Sequence, residues 1–316
     1  MAAIGKDISK AIQLLELGKL VAIPTETVYG LAANALDTTA VAGIFRAKNR
    51  PTFDPLIIHT YSIEKVKEYV REFPPELEKL AKAFWPGPLT LLLPKKNLVP
   101  DLVTSGLDKV AVRIPNHPLT LQLLQKLKFP LAAPSANPFG YVSPTKPAHV
   151  NKQLGSEVDY ILDGGNCEVG IESTIVGMED GKICVYRLGG LTIEKIEKVA
   201  PIAIGMKINN SDNPTAPGQL KSHYAPVKKL VIGNVDELLK RYDNPGVLSF
   251  GSKTYGVYTF NLSEKADLTE AAANLFEGIR SLDESRVEVI LTEYLPSIGL
   301  GIAINDRLTR AAAKKN

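Results

Sequence analysis

Apolar residues recur at helical spacing at Ile8, Ala11, Ile12 and Leu15, behind Asp7, which can cap a helix, and ahead of Gly18, which suits its end. A continuous apolar run from Leu20 to Pro24 then predicts a buried strand. Thr38 or Thr39 can open a second helix running to about Lys48, Leu56 to His59 reads as another strand, and helical patterns cover roughly Ile63 to Arg71 and Pro75 to Phe84. Further strand patterns lie at Leu89 to Pro94, Val110 to Pro115, Leu131 to Ser135, Ser173 to Met178 and Lys182 to Leu188. Helices alternating with strands predict an α/β fold, and the irregular spacing of the strands predicts a mixed sheet.

The pattern breaks between Pro201 and Pro226, where "NNSDNPTAPG" is full of turn formers and has no apolar period. It restarts with strand "KLVIG", a helix from Val235 to Arg241, strand "GVLSF", a helix from about Lys265 to Ser281, strand "VEVILT" and a last helix near Ile302 to Ala313. The expected organisation is therefore a larger α/β domain over 1–200, a linker over 201–227 and a smaller α/β domain over 228–316, the last being large enough to fold alone.

Composition narrows the function. Of 316 residues, 45% are hydrophobic and 22% charged, which describes an ordinary globular chain with a sizeable core. A net charge of +3 is weak for a protein that holds nucleic acid by bulk electrostatics, so any basic function must be local. Cys167 and Cys184 are the only cysteines and form no CxxC pair, which argues against a zinc ribbon or a disulfide framework and for a reducing, cytoplasmic setting. No signal peptide is visible at the N-terminus, and no apolar stretch approaches the roughly 20 residues that span a bilayer, so no membrane association is expected.

The familiar nucleotide and hydrolase signatures are missing: GxxxxGK[ST], HExxH and GxSxG do not occur, and "GLGIAI" at Gly299 lacks the third glycine of the dinucleotide fingerprint. In "FRAKNRPTFDPLIIH", Lys48 and Arg50 are alternate residues leaving a helix, placed to grip a polyphosphate together; the same cations also suit a solvated helix end. Ser135 and Asn137 stand where a strand ends in "LAAPSANPFGYVSPT", the edge at which open α/β sheets present ligand groups, and Ser143 follows in the same loop, although these residues also favour a plain turn. Arg113 is embedded in the apolar "VAVRIP" and requires an anionic partner, either a substrate carboxylate or an internal Asp or Glu. His59 at a strand end and Arg187 in "VYRLGG" carry the same ambiguity.

"PTETVYGLAANA", "KNRP", "PLIIH", "WPGPLTLLL", "VAVRIP", "PSAN", "ESTIV" and "YRLGG", in this order from about Val21 to Gly190, resemble the YrdC-like family of threonylcarbamoyl-adenylate synthases. "PGQLKSHYAP" and the segment ending "INDRLTRAAA" resemble the linker and second domain of that family's two-domain form. The resemblance implies a twisted mixed sheet with helices around a concave basic cavity, followed by a Rossmann-like domain. The reaction it implies makes threonylcarbamoyl-AMP and pyrophosphate from L-threonine, bicarbonate or CO2, and ATP. A separate transferase then places the threonylcarbamoyl group on tRNA.

By matching position, the resemblance assigns Lys48 and Arg50 to the ATP phosphates and the catalytic role, with Asp54, Lys109, Ser135, Asn137, Ser143, Arg187, His223 and Tyr224 completing the ATP site. Thr27, His59, Arg113, Ala133 and Ser173 would hold threonine. Mg2+ is expected on the ATP phosphates rather than on protein ligands, with Glu26 or Asp54 touching it only through water. The linker would close over the labile carbamate, with His223 and Tyr224 reaching the nucleotide. Two other readings use the same residues: a double-stranded RNA-binding module, or weak RNA binding beside the synthase activity, and a carbamoyl transferase of the hydrogenase-maturation type, whose zinc modules two lone cysteines cannot supply.

Overall fold

The structure is a computed structural model that describes residues 1–200, 205–206, 214–220 and 223–313. The first part of the chain supplies strands β1 (Ala3–Gly5), β2 (Val21–Ile23), β3 (Gly30–Asn34), β4 (Ile57–His59), β5 (Leu89–Pro94), β6 (Lys109–Arg113), β7 (Leu131–Ala132), β8 (Tyr160–Leu162), β9 (Thr174–Glu179) and β10 (Lys182–Arg187). Its helices are α1 (Ile8–Glu16), α2 (Thr38–Lys48), α3 (Ile63–Tyr69), α4 (Pro75–Phe84), α5 (Asp101–Thr104), α6 (Pro118–Lys126), α7 (Pro147–Leu154) and α8 (Ile193–Val199). The remainder supplies β11 (Gly205–Met206), β12 (Lys229–Ile232), α9 (Val235–Leu238), β13 (Pro245–Ser249), β14 (Thr259–Asn261), α10 (Leu268–Glu284), β15 (Val289–Thr292) and α11 (Leu300–Ala312).

Among the described residues, eleven strands form one sheet in the order β1-β8-β2-β3-β7-β4-β6-β5-β9-β10-β11. Parallel and antiparallel neighbours both occur in it, as the strand spacing predicts: β4 runs parallel to β6, whereas β5 runs antiparallel to β6. The second sheet, β12-β15-β13-β14, is wholly parallel and carries α10 and α11. Parallel pairs need a crossover: α9 lies between β12 and β13 and α10 between β14 and β15, whereas the non-helical segment 250–258 joins β13 to β14. One hydrophobic core spans both parts, joining Val142, Ile171 and Leu188 to Tyr224, Phe276 and Ile304.

Local chemistry fixes the element ends. Asp7 accepts a hydrogen bond from the Lys10 backbone at 3.1 Å and starts α1, as its sequence predicts. α2 opens at Thr38 and runs to Lys48, as its sequence predicts, and the residue that caps it is Asp37, whose carboxylate accepts from the Thr39 and Ala40 amides. That helix stops because Asn49 takes a left-handed conformation, φ 50°, which turns Arg50 back toward the sheet. α9 ends at Leu238, three residues short of the Arg241 expected from periodicity. Short β3, β8 and β14 and helices α6, α7 and α8 lie in segments where the sequence pattern predicted no element. Of the 201–227 linker, 205–206 adds β11 beside β10, and 214–220 and 223–227 are described; the rest, including 209–213, the first half of the turn-former run 209–218, lies outside the described residues. Residues 314–316 of the second domain lie outside them as well.

Candidate active site

The central strands bring the embedded charges together. In the parallel β4/β6 pair His59 stands beside Arg113, and in the antiparallel β5/β6 pair Thr90 faces Arg113. Ser173, just before β9, lies with its hydroxyl 2.7 Å from that of Thr90. Arg187, at the end of β10, donates from Nε to the Ser173 carbonyl at 3.0 Å and from Nη2 to its hydroxyl at 3.1 Å. Opposite them lie the turn from Thr25 to Val28 between β2 and β3 and the segment from Ala133 to Ser135 after β7. A cavity of about 50 Å3 lies between these elements. Thr27, His59, Arg113, Ala133 and Ser173, the residues matched to threonine, all line it, as do Arg50, Ser135 and Arg187 of the nucleotide set.

Every cation here is buried and has a partner. The ion pair of Arg113 runs from Nη2 to the Glu26 carboxylate at 2.7 Å, Nη1 donates to the Thr27 hydroxyl at 2.8 Å and Nε to the Gly87 carbonyl at 3.2 Å. Of the two partners open to Arg113 in the sequence, the fold thus provides the internal one. Arg50 pairs with Asp54 at 2.9 Å and donates to the carbonyls of Asp54 and Pro55. Lys48 is 1% exposed, and its ammonium donates to the carbonyls of Ser135, at 2.5 Å, and Asn137. The solvated helix-end reading is therefore wrong for Lys48 and Arg50, because the left-handed turn at Asn49 folds them inward; Arg46 alone of the three cations is exposed. Burial is the main force lowering the pKa of Lys48, with Arg50 adding to it and Asp54 opposing it.

Some matched residues form the wall behind the cavity rather than its lining. Asn137 turns its amide to the carbonyls of Pro138 and Tyr141, and Ser143 donates to the Glu172 carboxylate at 2.6 Å. Asp54 is fully buried against Arg50. Lys109 is not brought to the cavity at all. It begins β6 while Arg113 ends it, a separation of about 13 Å at the usual strand rise, and its ammonium sits on the Met178 carbonyl and near Glu179. Thr25 and Glu172 line the cavity without having been given a role from the sequence, and Glu26, expected only as a water-mediated contact to Mg2+, is the Arg113 partner. Their signal was positional: all three lie inside "PTETVYG" or "ESTIV".

The described part of the linker closes one side. Pro217, Gly218, His223 and Tyr224 line the cavity; residues 221 and 222 of this segment lie outside the described ones. Gly218 has φ +82°, and a Cβ there would stand 3.1 Å from both the Arg187 side chain and the Tyr224 hydroxyl, so the close approach needs glycine. The His223 ring packs edge-on against Tyr224 at 4.1 Å. Tyr224 itself has φ 62°, costly for a bulky residue, and is held there by stacking on Phe276 and by the Arg307 guanidinium over its ring.

A family profile described as "Telomere recombination" matches residues 13–189, and one described as "Threonylcarbamoyl-AMP synthase, C-terminal domain" matches 191–313. The chain belongs to the threonylcarbamoyl-AMP synthase family. Relatives of that name are 42% identical in Pyrococcus abyssi, over 93% of this chain and 91% of the relative, and 40% identical in Bacillus subtilis, over 96% and 92%. The crystal structure of P. abyssi Sua5 complexed with L-threonine superimposes with a TM-score of 0.91 at 40% identity, covering 99% of this chain and 97% of that one. The two-domain α/β architecture is that of this synthase family, and among the described residues no helix is long and apolar enough to cross a membrane.

His59 gives this synthase a pH signature. Burial, reinforced by Arg113, lowers its pKa to about 3, so the imidazole is neutral throughout the physiological range. An unfolded chain takes up the proton near pH 6.5 and the folded one does not. The stabilising contribution is complete above 6.5 and is lost as pH falls from there toward 3. His59→Gln should remove about one proton's worth of that dependence, at most about 1.4 kcal/mol per pH unit, in denaturant titrations from pH 7 to pH 4.

Proposed function

We infer that this chain is an L-threonylcarbamoyl-AMP synthase that joins L-threonine, bicarbonate or CO2, and ATP, releases pyrophosphate, and supplies the adenylate for tRNA modification. One observation supports this above the others: two buried arginines, Arg50 and Arg187, share a cavity with an Arg113–Thr27–Ser173 group suited to an amino acid. Arg113 has five N–H donors, and its three contacts leave donors for a threonine carboxylate while Glu26 cancels its net charge. Thr27 and Ser173 offer hydroxyls to the substrate hydroxyl. Arg50 and Arg187, with Lys48 holding the Ser135–Asn137 turn in shape, face the phosphates.

The uncharged threonine amine attacks CO2 and loses a proton, and the carbamate oxygen then attacks the α-phosphorus in line as pyrophosphate leaves. No protein nucleophile is needed, so positioning and charge stabilisation by the buried cations carry the catalysis. Mg2+ on the phosphates would neutralise part of their charge. Glu172, which lines the cavity, and Glu26 and Asp54 beside it are each committed to an arginine, which fits an ion held by ATP rather than by the protein. Gly218, His223 and Tyr224 line one side of the cavity, and on this reading they cover the nucleotide and keep water from the carbamate. An RNA-binding reading fits poorly, because Lys48, Arg50, Arg113 and Arg187 are each at most 8% exposed and offer no surface stripe to a phosphate backbone.

Purified protein given ATP, threonine and bicarbonate should release pyrophosphate and accumulate the adenylate, followed by mass spectrometry. Threonine should be preferred over 2-aminobutyrate by roughly 100-fold or more in kcat/KM, since buried hydroxyls built to bond a hydroxyl are left unpaired by an analogue lacking it. Equal rates for the two amino acids would show that Thr27 and Ser173 do not read the hydroxyl. Absence of pyrophosphate release would overturn the synthase assignment itself.

A further inference from the structure

Glu172 poses an electrostatic problem. It lines the cavity read above as the ATP site, is 6% exposed, and as a carboxylate would repel a polyphosphate in a low-dielectric setting. Its two oxygens are both engaged. Oε1 accepts the Ser143 hydroxyl at 2.6 Å, which fixes the loop that follows Ser135 and Asn137. Oε2 accepts from Arg307 Nε at 3.1 Å, across 135 residues of sequence. Arg307 belongs to α11 of the second domain, is 0% exposed, and lays its guanidinium 5.4 Å from the centre of the Tyr224 ring. Asp306 also pairs with it, at 3.2 Å. The same loop is held a second time by the second domain, through Arg280 of α10, which donates to the carbonyls of Val142 and Ser143.

We propose that Arg307 is a positioning residue of the nucleotide site: it neutralises Glu172, so that a carboxylate can hold Ser143 in place without repelling ATP, and it thereby makes ATP affinity depend on the second domain. The inference rests on the reading of this cavity as the ATP site. Within that reading it gives the second domain a defined task. A guanidinium that only filled space in the core would need neither the carboxylate nor its placement over Tyr224, and a long apolar side chain would serve as well.

The test is a charge cycle in the full chain, read as separate KM values for ATP and threonine in pyrophosphate release. Arg307→Met leaves Glu172 unpaired and should raise KM for ATP 10-fold or more, while KM for threonine changes less than about threefold. Adding Glu172→Gln to Arg307→Met removes the repelling charge and should bring KM for ATP back to within about threefold of the wild type. Arg307→Lys, which keeps the charge, should stay within the same limit. A wall without an electrostatic role would instead raise both KM values together, and the second substitution would not reverse the effect; that result, or an unchanged KM for ATP in Arg307→Met, overturns the proposal. If Arg307→Met alone does not fold, the double variant decides, because removing both charges spares the fold the unpaired carboxylate, and a KM for ATP 10-fold above wild type there is equally fatal. Wild-type protein without ATP- and threonine-dependent turnover would sink the underlying site reading, a failure visible before any variant is compared.

Discussion

Arg50→Ala should lower adenylate formation by roughly 100- to 1,000-fold and also destabilise the protein by about 3–5 kcal/mol, because it strands the fully buried Asp54 carboxylate without its cation. Two consequences follow from one side chain. The guanidinium lines the cavity, which on the proposed reading must meet phosphate charge, and removing one preorganised donor from such a site costs roughly 100- to 1,000-fold in rate. It is also the nearest counter-charge to an aspartate whose pKa burial pushes upward while Arg50, then Lys48 and Arg187, pull it down. A paired variant separates the two roles. Arg50→Met with Asp54→Leu should recover most of the stability in urea titrations, since replacing a buried ion pair by apolar groups is often neutral, yet should keep the loss in rate. Wild-type pyrophosphate release in Arg50→Ala would confine the residue to structure.

Arg113→Met should lower kcat/KM for threonine by roughly 100-fold or more and leave KM for ATP much less affected. On the proposed reading Arg113 organises the amino-acid end of the cavity: it joins Glu26, Thr27 and the Gly87 carbonyl in one fork and stands beside neutral His59. Its loss removes the carboxylate partner, releases Thr27 and leaves Glu26 buried and negative in the place a negatively charged substrate group must occupy. Arg113→Lys should recover only part of the activity, since an ammonium cannot reproduce the planar fork that meets Glu26 and Thr27 together. Initial rates across a threonine series at saturating ATP measure this directly. A loss confined to KM for ATP would move Arg113 to the nucleotide end.

Much of the fold was legible because its signals are local. α4 runs over the expected Pro75–Phe84 and β5 over the expected Leu89–Pro94, each being a pattern that its own residues complete. β3 escaped because "GLAAN" is short and small-residue-rich, and only pairing with β2 and β7 makes it a strand. Lys109 was carried to the site by motif position alone, and strand length put it at the far end of β6.

By itself the sequence determined the alternation of helices and strands and the two-domain order, since spacing and caps are properties of neighbours along the chain, and it singled out Arg50, His59, Arg113, Ser135 and Arg187, while Thr27, Ser173, His223 and Tyr224 came from the family resemblance of its motifs. Tertiary structure alone decided how their charges are balanced. Arg113 could have waited for a substrate, but the fold gives it Glu26, 87 residues away; Lys48 could have faced water, but a left-handed turn at Asn49 buries it on two carbonyls; and Glu172 gains Arg307 from the other domain. The physical reason is desolvation. A charge carried inside must find a partner wherever the packed chain brings one, and that partner is chosen by sheet order and domain contact, which no local pattern encodes.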